Sequence, residues 1–222
     1  MSYEIDTKNA YRNEAKANAY KNQYTEGIKW ARFTMWQQKK IITKFLDACN
    51  LESKDKVLDI PCGAGYIGSV LAKYEASVVA SDISEEMMDL AKSEYDEVKF
   101  DGFVQADITK TPFPSDDFKC VIVLSLMHRL PQVVRKEVLL EVARLTNKYL
   151  IISYSVESLA QRVKQWILLK VKPSHIPAPA SIQLNVMLDE MSSVGLKIIK
   201  QRNVVYFLSA KIVFLAIKTS DH

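Results

Sequence analysis

The segment from Lys56 to Gly68, K-V-L-D-I-P-C-G-A-G-Y-I-G, restricts the possible folds of this chain more than any other stretch. Val57, Leu58 and Ile60 form a short aliphatic and β-branched run bounded by Pro61, and Gly63, Gly65 and Gly68 follow at the spacing G-x-G-x-x-G. That order predicts a buried strand running into a tight turn and then a helix, which is how a doubly wound α/β domain begins. Glycines have no Cβ to hold a ligand away, so the turn is expected to bring bare backbone N–H groups close to a small anionic or polar ligand.

Gly63-Ala64-Gly65-Tyr66-Ile67-Gly68 matches the dinucleotide fingerprint literally, and Asp82 stands roughly 20 residues further on, where that fingerprint asks for an acid. Asp59 argues the other way. A carboxylate closing the strand just before the glycines would repel a pyrophosphate and suits a ligand with cationic groups. The run V-L-D-I-P-C-G-A-G resembles motif I of the class I S-adenosylmethionine-dependent methyltransferases, whose usual form is D-x-G-x-G, with Pro61-Cys62 as a departure before the first glycine. The resemblance implies that Asp59, Pro61, Cys62, Gly63, Ala64 and Gly65 face the methionine part of S-adenosyl-L-methionine.

With 222 residues the chain suits one α/β domain with a full core. The reading is a single domain over 1–222, with residues 1–50 as an N-terminal helical cover and 156–194 as a helical lid insertion after the fifth strand. The expected sheet is mostly parallel and seven-stranded, with an antiparallel last strand. Thirty Lys and Arg against 26 Asp and Glu leave a net charge of +4, too mild and dispersed to argue for nucleic acid. Cys49, Cys62 and Cys120 lack C-x-x-C spacing, so neither a zinc site nor a disulfide framework is predicted. A polar N-terminus and the lack of a long apolar run point to a cytoplasmic, soluble protein.

Along the chain, residues 9–24 read as a polar helical arm with spaced tyrosines, and about 28–47 as an amphipathic helix. The resemblance makes this piece a cover over the cofactor pocket, with Arg32 toward the cofactor and Tyr20 and Tyr24 toward the substrate. Ser77 to Ser81 predicts a second strand ending in Asp82, whose carboxylate can accept both hydroxyls of a ribose. Ser84 supplies a helix cap beyond it, and Asp82 can share in that capping. A third strand over 98–106 leads to Asp107-Ile108; the resemblance sets Asp107 against the adenine amino group, with Ile108 and Ile83 on the two faces of the ring.

Phe113 to Phe118 and the apolar strand Lys119 to Leu126, followed by S-L-M-H-R-L-P, resemble the methyltransferase segment around the fourth strand, which puts Leu124 on the cofactor side. No N-P-P-Y or D-P-P-Y follows that strand, which again lowers the case for a nucleic-acid substrate. Residues 133–145 predict a crossover helix, 149–153 a fifth strand, 181–194 a helix, and 196–206 with 208–218 a closing hairpin. The basic amphipathic helix over 156–172 could also contact a membrane surface.

Methyl transfer from a sulfonium is an in-line displacement, so orientation does most of the work, and a base is needed only where the acceptor must first lose a proton. His128, just past the fourth strand, is the candidate base; His175, in the loop K-P-S-H-I-P-A-P, is a second candidate base and a candidate substrate contact. The reading is an S-adenosylmethionine-dependent methyltransferase acting on a small-molecule, lipid-linked or glycolipid-linked acceptor, preferentially at oxygen. The alternatives are a nicotinamide-dependent oxidoreductase and a non-catalytic methyltransferase-like partner subunit.

Overall fold

A computed structural model describes residues 29–156, 182–205 and 210–219. Within them seven strands form one sheet in the order β3-β2-β1-β4-β5-β7-β6. The strands are β1 Lys56–Asp59, β2 Ser77–Asp82, β3 Phe100–Gln105, β4 Phe118–Val123, β5 Thr146–Ser155, β6 Leu196–Asn203 and β7 Lys211–Lys218. β1 to β5 pair in parallel, and β7 runs antiparallel to both β5 and β6. This is the predicted sheet, closing hairpin and antiparallel last strand included.

The helices are α1 Lys29–Cys49, α2 Gly68–Leu71, α3 Glu85–Ala91, α4 Gln132–Leu145 and α5 Leu184–Ser192. α2, the helix expected after the glycine turn, is a single turn. The reason is local: Gly65 and Gly68 hold the chain in close-packed turns before it, and the next strand begins at Ser77.

Side chains alternate across a strand, so each strand feeds two cores. Val57, Val78, Cys120, Ile122 and Ile151 pack with Ile42, Phe45 and Leu46 of α1 and with Val70 and Leu71 of α2. Leu58, Val121, Val123, Leu150 and Ile152 pack on the other face with Val138, Leu139 and Val142 of α4 and with Met187 and Met191 of α5. Both faces of the sheet are therefore covered, and the nearly all-apolar run of β4 follows from that burial.

α4 and α5 are joined by a buried ion pair. Arg135 Nε donates to Glu190 Oε2 at 3.0 Å, Nη2 to Oε1 at 2.6 Å, and Nη1 to the Leu130 carbonyl at 3.0 Å. Removing one charge of such a pair leaves the other buried and uncompensated. Glu190→Gln is expected to cost about 1–3 kcal/mol. A thermal unfolding scan should show the midpoint falling by about 2–4 °C per kcal/mol lost; an unchanged midpoint would mean that water reaches Arg135.

The order β2-β1-β4 reverses direction at β1, so a crevice opens where the carboxyl ends of β1 and β4 part. That end of the sheet carries Asp59, Asp82 and the loop after β4. α1 lies over it: Tyr66 Oη donates to the Met35 carbonyl, and Lys39 Nζ donates to Ser69 Oγ at 2.9 Å. α1 thus contacts the glycine turn through Tyr66. The arm over 9–24, with Tyr20 and Tyr24, and residues 157–181, with His175 and nearly all of the basic helix over 156–172, lie outside the described residues. No helix among the described residues is long and apolar enough to cross a membrane.

Candidate active site

Asp59 ends β1 with its carboxylate buried, 2% exposed. Tyr95 Oη donates to Asp59 Oδ2 at 2.5 Å. Burial raises the Asp59 carboxyl to about 7, the bond from Tyr95 opposes that rise, and the charge of Asp82 adds to it. Asp82 ends β2, also buried, and its two oxygens hold the turn together: Oδ2 accepts from Gly63 N at 2.9 Å and Oδ1 from Ser84 N at 3.0 Å. Burial raises its carboxyl, and these backbone bonds counter the rise. Ser84 caps α3 by accepting from Met87 N at 3.1 Å. Ser84 is thus the helix cap, and Asp82 stands behind it, holding the Ser84 amide.

The turn itself corrects one expectation. Four of its amides do not stand bare toward a ligand: Cys62 N donates to the Ser81 carbonyl at 2.8 Å, Gly63 N to Asp82, Gly65 N to the Cys62 carbonyl at 3.1 Å and Gly68 N to the Gly65 carbonyl at 3.0 Å. Nor do the second and third glycines clear space for a ligand. A Cβ on Gly65 would lie 2.6 Å from Glu94 Cβ, and one on Gly68 would lie 2.0 Å from the Glu94 carbonyl oxygen. Their missing side chains let the turn sit against the segment after α3. Gly63, at φ +54°, is the glycine with room beside it. Pro61 and Ala64 are half-buried along the same turn, and Cys62 is buried with its thiol pushed well up by burial and by the two carboxylates.

Asp107 follows β3, and its Oδ1 accepts from Thr109 N at 3.0 Å and Thr109 Oγ1 at 2.8 Å. Ile83 is half-exposed beside Asp82, whereas Ile108 is 7% exposed and packed in the α4-side core with Leu58 and Ile60. Leu124 is buried at the end of β4 in the α1-side core. Arg32 is exposed on α1.

His128 sits on the 3-10 turn Met127–Arg129, half-buried at the carboxyl end of β4, and its Nδ1 is buried without a partner. Burial, then Arg129 and Lys211, lower its imidazole to about 4. Such a ring is neutral near pH 7 and a poor acceptor for a hydroxyl proton, so the candidate base is weaker than its position suggested. Four neighbours were not singled out in the sequence. Tyr95 caps Asp59, Gln38 comes from α1, Ser125 follows β4, and Lys211 opens β7. Only Ser125 left a trace, in the polar break that ends the apolar run of β4.

Residues 57–148, from β1 into β5, match the family model described as a methyltransferase domain. The fold agrees: magnesium protoporphyrin IX methyltransferase from Synechocystis PCC 6803, crystallised with bound SAH, superimposes with a TM-score of 0.76 over 94% of this chain and 97% of that one, at 20% identity. Over residues 57–148 the chain carries a methyltransferase domain. Among curated relatives of this methyltransferase domain, demethylmenaquinone methyltransferase of Clavibacter sepedonicus is 35% identical over 69 residues, 31% of this chain and 28% of its own. The ubiquinone/menaquinone biosynthesis C-methyltransferase of Pseudomonas entomophila (strain L48) is 32% identical over 103 residues, 42% of this chain and 35% of its own. The chain thus spans about a third of the length of the curated relatives it matches.

Proposed function

We propose that the methyltransferase domain binds S-adenosyl-L-methionine at the Asp59–Asp82 corner and transfers its methyl group to a small-molecule or lipid-linked acceptor. One observation carries this reading. The Cys62, Gly63, Gly65 and Gly68 amides of the turn bond within the protein and two buried carboxyl groups stand behind it, so the corner becomes electrostatically negative as they ionise. A pyrophosphate would meet that field with repulsion, and a ligand carrying an ammonium and a sulfonium would meet it with attraction. The same field counts against the nicotinamide reading.

S-adenosyl-L-methionine supplies a methyl group on a positively charged sulfur with a neutral leaving group. For its part, the chain holds and orients. Asp59 receives the ammonium, Asp82 the ribose hydroxyls, Asp107 the adenine amino group, and Ile83 packs on the ring. Leu124 and Ile108 support that seat from the core. Arg32, Tyr20, Tyr24 and His175 belong to the covering and lid segments of the same domain. Two relatives are named for quinone substrates, one as a C-methyltransferase, which favours carbon as an acceptor atom alongside oxygen. The domain works in the cytoplasm, and contact with a membrane through 156–172 would bring it to a lipid-linked acceptor.

Calorimetry with S-adenosyl-L-methionine, S-adenosylhomocysteine and NAD tests the assignment. The two sulfur ligands are expected to bind and NAD to give no heat; the reverse pattern rejects the proposal.

The titration of Asp59 gives a second check. The folded chain holds this proton up to about pH 7, whereas the unfolded chain releases it in the ordinary carboxylate range. Between those limits the fold binds more protons than the unfolded chain. The stability that this residue contributes is therefore present at low pH and lost as pH rises toward 7. An ammonium ligand needs the ionised form, so affinity for S-adenosylhomocysteine is expected to rise roughly tenfold from pH 6 to 7.5. Asp59→Asn should flatten that rise while melting no lower than the wild type at pH 7. A slope that survives Asp59→Asn would place the titrating group elsewhere.

A further inference from the structure

Beside the proposed cofactor seat, the carboxyl ends of β4 and β5 and the start of β7 bring together a polar cluster that the seat does not use. Lys211 Nζ donates to Ser125 Oγ at 3.0 Å and to Gln38 Oε1 at 3.3 Å. Ser125 stands in the left-handed region at φ +58°, and its N–H donates to Ser153 Oγ at 2.8 Å, which fixes the hydroxyl against Lys211. Gln38 is 3% exposed, and its Nε2 has no partner, although it shares a planar amide with the oxygen that accepts from Lys211. His128 Nδ1 is likewise buried without a partner, and Arg129 is close enough to lower both His128 and Lys211.

A buried amide donor without an acceptor costs stability unless something else fills it. The pieces come from four separate elements, α1, the loop after β4, β5 and β7, so no local turn or cap accounts for them. Their shared chemistry is one of donors: an ammonium and an amide N–H₂, with a guanidinium near enough to act on both His128 and Lys211.

We infer that this cluster is the acceptor subsite and that it takes an anionic oxygen, the carboxylate or ring oxygen of the molecule to be methylated, with Lys211 as the contacting cation and Gln38 as a second donor. This rests on the methyltransferase reading and deepens it by naming the substrate class. An oxyanion is already the nucleophile, or is conjugated to the carbon nucleophile. The new bond to the methyl carbon then forms as the carbon–sulfur bond breaks and the electron pair goes to sulfur; an oxygen acceptor needs no base, whereas a ring carbon afterwards releases its proton to water as the ring regains aromaticity. That agrees with the poor proton affinity of His128. Burial, then Arg129, lower the Lys211 ammonium to about 8, and an anion bound beside it would raise both it and His128.

The test is calorimetry on the full chain saturated with S-adenosylhomocysteine, using benzoate as the carboxylate probe, 4-nitrophenolate as the ring-oxygen probe and benzamide as a neutral control. At least one anion is expected to bind, with affinity falling about tenfold or more in Lys211→Met, which keeps the aliphatic stem, and largely restored in Lys211→Arg. Which anion binds identifies the source of the charge. In the wild type, the bound anion should also move the His128 ring-proton titration upward in NMR. If neither anion binds, or if Lys211→Met binds as tightly as the wild type, the subsite is overturned. Failure of S-adenosylhomocysteine itself to bind the wild type would instead overturn the methyltransferase reading, which keeps the two failures distinct.

Discussion

Asp82→Asn is expected to weaken binding of S-adenosylhomocysteine by about a hundredfold or more, the largest loss of affinity from any single change at the cofactor corner. A carboxylate offers about four acceptor positions on two oxygens. One on each oxygen of Asp82 already holds a backbone amide, Gly63 N on Oδ2 and Ser84 N on Oδ1, which leaves one on each for the two ribose hydroxyls. Asparagine keeps one oxygen. Its N–H₂ would confront either the Gly63 or the Ser84 amide, donor against donor, and would offer nothing to one hydroxyl. Hydrogen bonds to a charged acceptor contribute about 1.5–3 kcal/mol each, so losing one or two corresponds to a factor near a hundred. Calorimetry measures the affinity and a parallel melting scan the fold. Should Asp82→Asn bind the ligand like the wild type while melting lower, Asp82 would be scaffold for the turn and the ribose would sit elsewhere.

What could be read from the sequence and what could not divide along a physical line. β1, β2 and β4 announced themselves because buried parallel strands need continuous apolar runs, and the glycine spacing placed the turn between β1 and α2. Asp59 and Asp82 were legible because each closes such a run, where a charged residue has few structural reasons to stand. What the glycines do was not legible. One-dimensional spacing gives the freedom from Cβ at Gly65 and Gly68 but not what comes close to them, and Glu94, 26 residues beyond Gly68, does so only in three dimensions. Tyr95 is hidden for the same reason. Its neighbours suggest a core aromatic, packed 5.2 Å from Phe100 and 5.5 Å from Phe103 between ring centroids, and nothing local tells that its hydroxyl meets Asp59. Ile108 shows the converse. The resemblance set it on a ligand face, whereas the strand exit turns it into the α4-side core. Lys211 was obscured by its setting in a hairpin with several other lysines, Lys197, Lys200 and Lys218 among them. Only the sheet order, which brings β7 next to β5, carries it to the carboxyl end of β4.

Gly68→Ala should be the most destabilising single substitution in the turn, at roughly 3–5 kcal/mol. The added Cβ would lie 2.0 Å from the Glu94 carbonyl oxygen and 2.6 Å from its carbonyl carbon, and both are backbone atoms that no rotamer change can move. Relief requires shifting the 3-10 turn Lys92–Glu94, and the next residue is Tyr95, whose hydroxyl caps the buried Asp59 carboxyl. The substitution therefore strikes packing and cofactor corner together, and denaturant unfolding should show both a lower midpoint and weaker protection by S-adenosylhomocysteine. Gly65→Ala is a related change with a different remedy. There the close atoms include Glu94 Cβ at 2.6 Å and Cγ at 2.9 Å, in a residue with φ +78°. Glu94→Gly should rescue part of the Gly65→Ala loss by removing those atoms, leaving the tight approach to Ala91 Cα at 3.1 Å and a backbone strain of about 1–2 kcal/mol. It should rescue little of Gly68→Ala, because the obstructing carbonyl remains. A double-mutant cycle separates the two cases. Equal rescue at both positions, or a Gly68→Ala protein as stable as the wild type, would show that the segment after α3 yields freely and that the turn does not depend on its contact with Glu94.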